Sequence, residues 1–162
     1  MAKLPLHHLD LRVSDLERSR IFYDKLLTQL GYRRVNYSTP DEPEGYDWLA
    51  AGQVGRFSIG LYSARQGTAH DRNAPGVHHI AFAAPSRVAV DDLHHVLTAM
   101  GATILDPPRD YPKYEARYYA VFFLDPDGIK LEYVFTPANK IRIASHRDPT
   151  RLLSLTQRDE SG

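Results

Sequence analysis

Apolar and polar residues alternate along "HHLDLRV", residues 7–13, so that Leu9, Leu11 and Val13 fall on one side of an extended chain and His8, Asp10 and Arg12 on the other. The alternation returns in "HHIAFAA", residues 78–84, with Ile80, Phe82 and Ala84 set against His79, Ala81 and Ala83. Each segment predicts a two-faced strand, and each leads into a helical stripe. In the first copy Leu16, Tyr23, Leu27 and Leu30 recur at helical spacing, Ser14 and Glu17 predict a capping box, and Gly31 predicts the stop. In the second, "SRVAVDDLHHVLTAMG" puts Val90, Leu93, Leu97 and Met100 on one stripe before Gly101. Shorter extended runs follow both glycines: "YRRV", "YDWLAAG" and "RFSIGLYSA", then "ATIL", "RYYAVFFLD" and "GIKLEYV". The predicted order is strand, helix, three strands, twice over.

A half of this size has one helix, enough to cover one face of a four-stranded sheet. The expected class is therefore α+β, with two βαβββ modules, one at about 4–63 and the other at about 77–136, in a single domain over residues 1–136. Residues 64–76 are polar and glycine-containing and read as the linker, and residues 137–162 form a C-terminal tail whose "RLLSL" run is expected to dock on the sheet or dimer surface. The sheet faces turned away from the helices should enclose a shared concave cavity. His8 and His79 have that parity, and so does Glu132, because Ile129, Leu131 and Tyr133 form the apolar side of "GIKLEYV". By the same parity His7 and His78 point to the opposite face.

Composition narrows the partner. Lysine plus arginine equals aspartate plus glutamate at 20 each, so the charge calls for neither nucleic acid nor an anionic membrane, and a small-molecule substrate is expected. Cysteine is absent, which removes disulfides and thiolate metal sites. The segment "MAKLPLHHLDLRV" carries no long apolar run, so the expected location is cytoplasmic.

In combination, "HHLDLRVSDLERSRIFYDKLL", "HHIAFAA" and "FFLDPDGIKLEYV" resemble the vicinal oxygen chelate superfamily of glyoxalases, bleomycin-resistance proteins, fosfomycin-resistance enzymes and extradiol dioxygenases, over residues 4–136. The resemblance implies paired βαβββ modules and a metal held by His8, His79 and Glu132. Two imidazoles and a carboxylate suit a divalent ion such as zinc, nickel, manganese or iron and leave positions open for a bidentate substrate. Aligning Ile59 with Ile129 and Leu61 with Leu131 places Tyr62 opposite Glu132, where glyoxalases usually present a fourth ligand; its phenol is expected to hydrogen-bond the substrate. Catalytic roles are thus expected for Glu132 and Tyr62. Asp10 and Arg12 share the His8 face and are expected to pair.

Two loops are expected at the mouth: residues 105–119 as a lid offering Tyr111, Tyr114 or Arg117, and residues 37–48 offering Tyr46 or Trp48. The expected activity is that of a metal-dependent glyoxalase-type lyase chelating vicinal oxygens of a small metabolite. Alternatives are a non-catalytic drug-binding protein of the bleomycin-resistance type and a ring-cleaving dioxygenase. The last is disfavoured because Phe122 stands at the usual tyrosine position and the stretch "KYEARYYAVFFLDP" holds no histidine shortly before it. A homodimer is expected, with the ligands converging either within one chain or, if modules are exchanged, between two.

Overall fold

The computed structural model describes residues 6–35, 45–52, 55–65 and 69–137, with the backbone alone at 51, 52, 55 and 56; the predicted tail lies outside this range beyond 137. Strand β1 (His8–Val13) leads into α1 (Leu16–Gln29), then β2 (Arg33–Val35), β3 (Gly45–Gly52) and β4 (Gly55–Ser63). The order repeats as β5 (Ile80–Ala83), α2 (Arg87–Ala99), β6 (Ile104–Asp110), β7 (Tyr119–Leu124) and β8 (Lys130–Phe135). The sheets run β1-β4-β3-β2 and β5-β8-β7-β6, with β1/β4 and β5/β8 parallel and the remaining pairs antiparallel. This is the doubled α+β architecture that the periodicity predicts.

The helices begin and end for local reasons. At α2 the Ser86 hydroxyl accepts from Ala89 N at 3.1 Å. At α1 the cap is Asp15, whose carboxylate accepts from Arg18 N at 2.9 Å, in place of the predicted Ser14–Glu17 box. Ser14 is taken by Asp127 of the second module, and Glu17 by Arg20. Both helices stop at glycines with left-handed backbones, Gly31 (φ 85°) and Gly101 (φ 70°).

One core holds both modules. Phe22, Tyr23, Leu26 and Leu27 of α1 and Val90, Leu93 and Leu97 of α2 belong to the same buried cluster as the helix-facing strand residues Leu11, Val13, Ile59, Leu61, Phe123 and Leu131. The modules are therefore joined through their helix-covered sides. Polar contacts reinforce the join at the β7–β8 turn: Tyr23 Oη donates to Asp125 Oδ2 at 2.9 Å, and Arg18 Nη2 to Asp127 Oδ1 at 2.8 Å. Asp125, 5% exposed, also accepts from Asp127 N at 2.9 Å and Ile129 N at 2.7 Å. Burial raises its carboxyl pKa, and these donors hold it back.

Residues 105–119 are only partly the predicted lid loop. Their first part continues β6 through Asp110, with Pro107 and Pro108 tolerated because β6 is an edge strand whose register against β7 shifts twice. A proline there removes no ladder bond that a further strand would need.

Candidate metal-binding site

Glu132 sits mid-strand on β8, between Ala81 of β5 and Phe122 of β7, on the face no helix covers, and is 2% exposed. Both carboxylate oxygens are engaged. Tyr118 Oη donates to Oε1 at 2.5 Å, and His79 Nε2 lies 3.2 Å from Oε2. Burial, then the bond to Glu132 and its charge, push the Tyr118 phenol above its ordinary pKa, so it acts here as a donor. His79 precedes the first residue of β5, and its Nδ1 is 2.7 Å from His78 Nδ1. That contact turns Nε2 toward the carboxylate. His78 therefore does not point to the opposite face as parity predicted, because parity holds only once the chain is paired in a sheet. His7 repeats the arrangement, with its Nδ1 3.1 Å from His8 Nδ1.

Tyr118 was not among the sequence candidates, although its alternation with Ala120 and Phe122 carries the signal. Of those that were, Tyr111 is 5% exposed, stacks on Tyr114 at 5.9 Å and meets Phe122 edge-on at 5.2 Å. Tyr111, Ala120, Phe122 and Val134 make a small apolar cluster separate from the main core, with Tyr118 packed against it. Arg117 takes a left-handed backbone (φ 67°) just before Tyr118 and its side chain is exposed.

The first module's corresponding face is built differently. Leu9 pairs with Ile59 and Ile80 with Leu131, so the counterpart of Glu132 is Gly60, and Tyr62 corresponds to Val134. The predicted equivalence of Tyr62 with Glu132 is off by two residues. The match of Ile59 with Ile129 and Leu61 with Leu131 follows the apolar alternation, which repeats every two residues and so fits equally well shifted by two, whereas the parallel pairing with β1 and β5 sets the register. Tyr62 still shares the open face with Gly60, its ring standing where side chains on Gly45 or Gly60 would collide with it.

Gly60 is flanked by Asp10 of β1 and Asp47 of β3. A Cβ on Gly60 would lie 2.6 Å from Asp10 Oδ1 and 3.1 Å from Asp47 Oδ1. Asp47 is 6% exposed and its Oδ2 has no hydrogen-bond partner. Burial first, then the negative charge of Asp10, raise its carboxyl pKa, against a smaller opposing effect of His8. The expected Asp10–Arg12 pair is not made: Asp10 Oδ2 has His8 Nε2 at 3.9 Å, and Arg12 Nη1 donates to Ser63 O at 2.9 Å. Tyr46 and Trp48 are also corrected. Both lie on β3 with the opposite parity to Asp47, and Trp48 is fully buried with Nε1 donating to Asp24 of α1 at 2.9 Å.

The structure thus brings together two of the three predicted ligands, His79 and Glu132, while His8 stands on the other sheet beside Asp10. Among the described residues no group of three His, Asp or Glu side chains is close enough to hold an ion. A cleft of about 700 Å³ lies elsewhere, between the linker and the module join, lined by Arg12, His70, Asp71 and Asp127 among others. No helix of the described residues is long and apolar enough to cross a membrane.

Comparison with known proteins agrees with this architecture. The family model for the Glyoxalase/Bleomycin resistance protein/Dioxygenase superfamily matches residues 5–133. The uncharacterized protein YqjT of Bacillus subtilis strain 168 is 35% identical over 132 residues, 80% of this chain and 97% of YqjT. A crystal structure from Bacillus halodurans superposes with a TM-score of 0.63 at 31% identity, covering 82% of this chain and 96% of the other. That of a glyoxalase/bleomycin resistance protein from Albidiferax ferrireducens T118 gives 0.60 at 27% identity, covering 82% and 98%.

Proposed function

We propose, from the premise that the chain belongs to the Glyoxalase/Bleomycin resistance protein/Dioxygenase superfamily, that it is a metal-dependent glyoxalase-type lyase, a cytoplasmic homodimer acting on a small oxygenated metabolite. The observation that carries the reading is Glu132, a carboxylate 2% exposed at the centre of a sheet with His79 Nε2 at 3.2 Å. A buried carboxylate is costly unless a positive charge meets it, which a bound divalent cation would supply. His79 and Glu132 fit one side of a divalent-ion site. Because His8 does not join them within one chain, the third donor in this proposal is His8 of the partner subunit.

Zinc, nickel, manganese or iron bound there would supply Lewis acidity toward two neighbouring oxygens of the substrate. The chain's own residues do the rest. Tyr118 occupies Glu132 Oε1 and leaves Oε2 on the His79 side, where it can take a proton from the substrate and return it. His78 holds the His79 ring through its Nδ1 contact. Tyr62, on the open face of the first module, offers its phenol to the metabolite.

Chains carrying His8→Ala are mixed with chains carrying His79→Ala and Glu132→Gln. Neither parent should retain stoichiometric metal, and the mixed dimer should regain one ion per two chains, since one of its two sites then has all three ligands. No recovery on mixing would remove the shared-site reading, and full metal in the Glu132→Gln parent would remove the site itself. Sequestration of an aromatic ligand is the second reading, supported by the Tyr111, Tyr118 and Phe122 cluster beside Glu132. A tight aromatic complex indifferent to chelator would favour it.

A further inference from the structure

The open face of the first module holds an arrangement that the metal reading does not use. Asp10, Gly60 and Asp47 lie in one cross-strand row on β1, β4 and β3. The oxygens Asp10 Oδ1 and Asp47 Oδ1 converge on the space above Gly60, within 2.6 and 3.1 Å of where a Cβ would stand, and the Tyr62 ring borders it at 3.0 Å. A glycine in the interior of a central strand marks a place where something approaches the backbone closely. Here the two carboxylates have closed in from either side.

Two carboxylates without a cation repel one another, and a buried one without partners forfeits its hydration. Asp47 is 6% exposed with Oδ2 unpartnered, whereas the Asp10 side chain is 47% exposed. The pair is therefore reached from outside through Asp10 and ends inside at Asp47. Neither residue has a lysine or arginine partner among the described residues. His8 reaches Asp10 only at 3.9 Å, and the Arg12 guanidinium bonds to Ser63 O and lies 5.6 Å from the centre of the Tyr62 ring. A metal ion is a poor occupant, because His8, Asp10 and Asp47 do not come close enough to form a three-ligand group. A primary ammonium suits the place better: it carries three donors that two carboxylates can share, and its apolar stem can lie against an aromatic ring.

We infer that Asp10 and Asp47, across Gly60, form a recognition site for the ammonium group of a small amine-bearing ligand. The inference deepens the proposed function by naming a substrate class, and rests on that reading only in calling the ligand a substrate. The site itself is complete within one module.

The test is calorimetric titration of the full-length, metal-free protein with n-butylammonium, against n-butanol as the uncharged control. Saturable binding of the ammonium alone is expected, weakened about tenfold or more in both Asp47→Asn and Asp10→Asn. Asp10 is half exposed, so its variant keeps the fold and gives a second, independent comparison with the wild type. Glu132→Gln should bind butylammonium as the wild type does; ammonium binding that survives there while the mixed-dimer metal experiment fails would separate this site from the metal reading. Equal affinity of wild type and Asp10→Asn, equal binding of butanol, or displacement of the ammonium by stoichiometric magnesium or calcium would overturn the inference.

Discussion

Across their three paired strands the modules carry Asp10–Gly60–Asp47 in one case and Ala81–Glu132–Phe122 in the other, at the same register. Under the helices the two sheets are alike: Leu11, Ile59 and Leu61 in the first module, and Phe82, Leu131 and Tyr133 in the second, join one apolar core. On the open side the carboxylates have exchanged places. The first module puts them on the flanking strands around an empty centre, and the second puts one at the centre with an alanine and an aromatic ring beside it. A covered face is constrained by close packing, whereas an open one is free to take on whatever its ligand demands.

The most severe way to break this comparison is to copy the central residue across. Gly60→Glu would put a third carboxylate between Asp10 and Asp47 where even a methyl group collides, and should cost about 3 kcal/mol or more. Adding Asp10→Ala and Asp47→Phe, which reproduces the second module's row, should recover most of the loss in urea titrations. If Gly60→Glu alone is as stable as wild type, the two carboxylates do not crowd the glycine as described.

The join between modules comes next. Asp125 accepts from Tyr23 Oη and from two backbone N–H groups while 5% exposed. Asp125→Ala should cost about 2–3 kcal/mol by denaturant unfolding, and Tyr23→Phe about 1 kcal/mol. Equal, negligible effects would mean that the apolar core alone holds the modules together.

The smallest effect sharpens the electrostatics. Burial and Asp10 raise the Asp47 pKa in the folded state. A raised carboxyl binds its proton more readily folded than unfolded, so it opposes folding once pH climbs through the unfolded value, and most fully above the folded one. Asp47→Asn should therefore stabilise the ligand-free protein by about 1 kcal/mol near pH 8, with the gain vanishing below about pH 3. A gain that did not change with pH would point to packing instead of charge.

Strand alternation, helical stripes and stop glycines belong to neighbouring residues, and from these the doubled βαβββ order, the helix-facing core and the place of Glu132 on the face no helix covers were legible in the sequence. Lateral relations were not. That Gly60 and not Tyr62 answers to Glu132, that Asp47 and not Trp48 shares the open face of the sheet with Asp10, that Tyr118 bonds Glu132, and that Ser14 serves Asp127 instead of capping α1 all depend on how distant segments pair. Alternation tells which residues share a side of one strand. Only the register between strands and the docking of helix on turn, which no local pattern encodes, decides which of them meet.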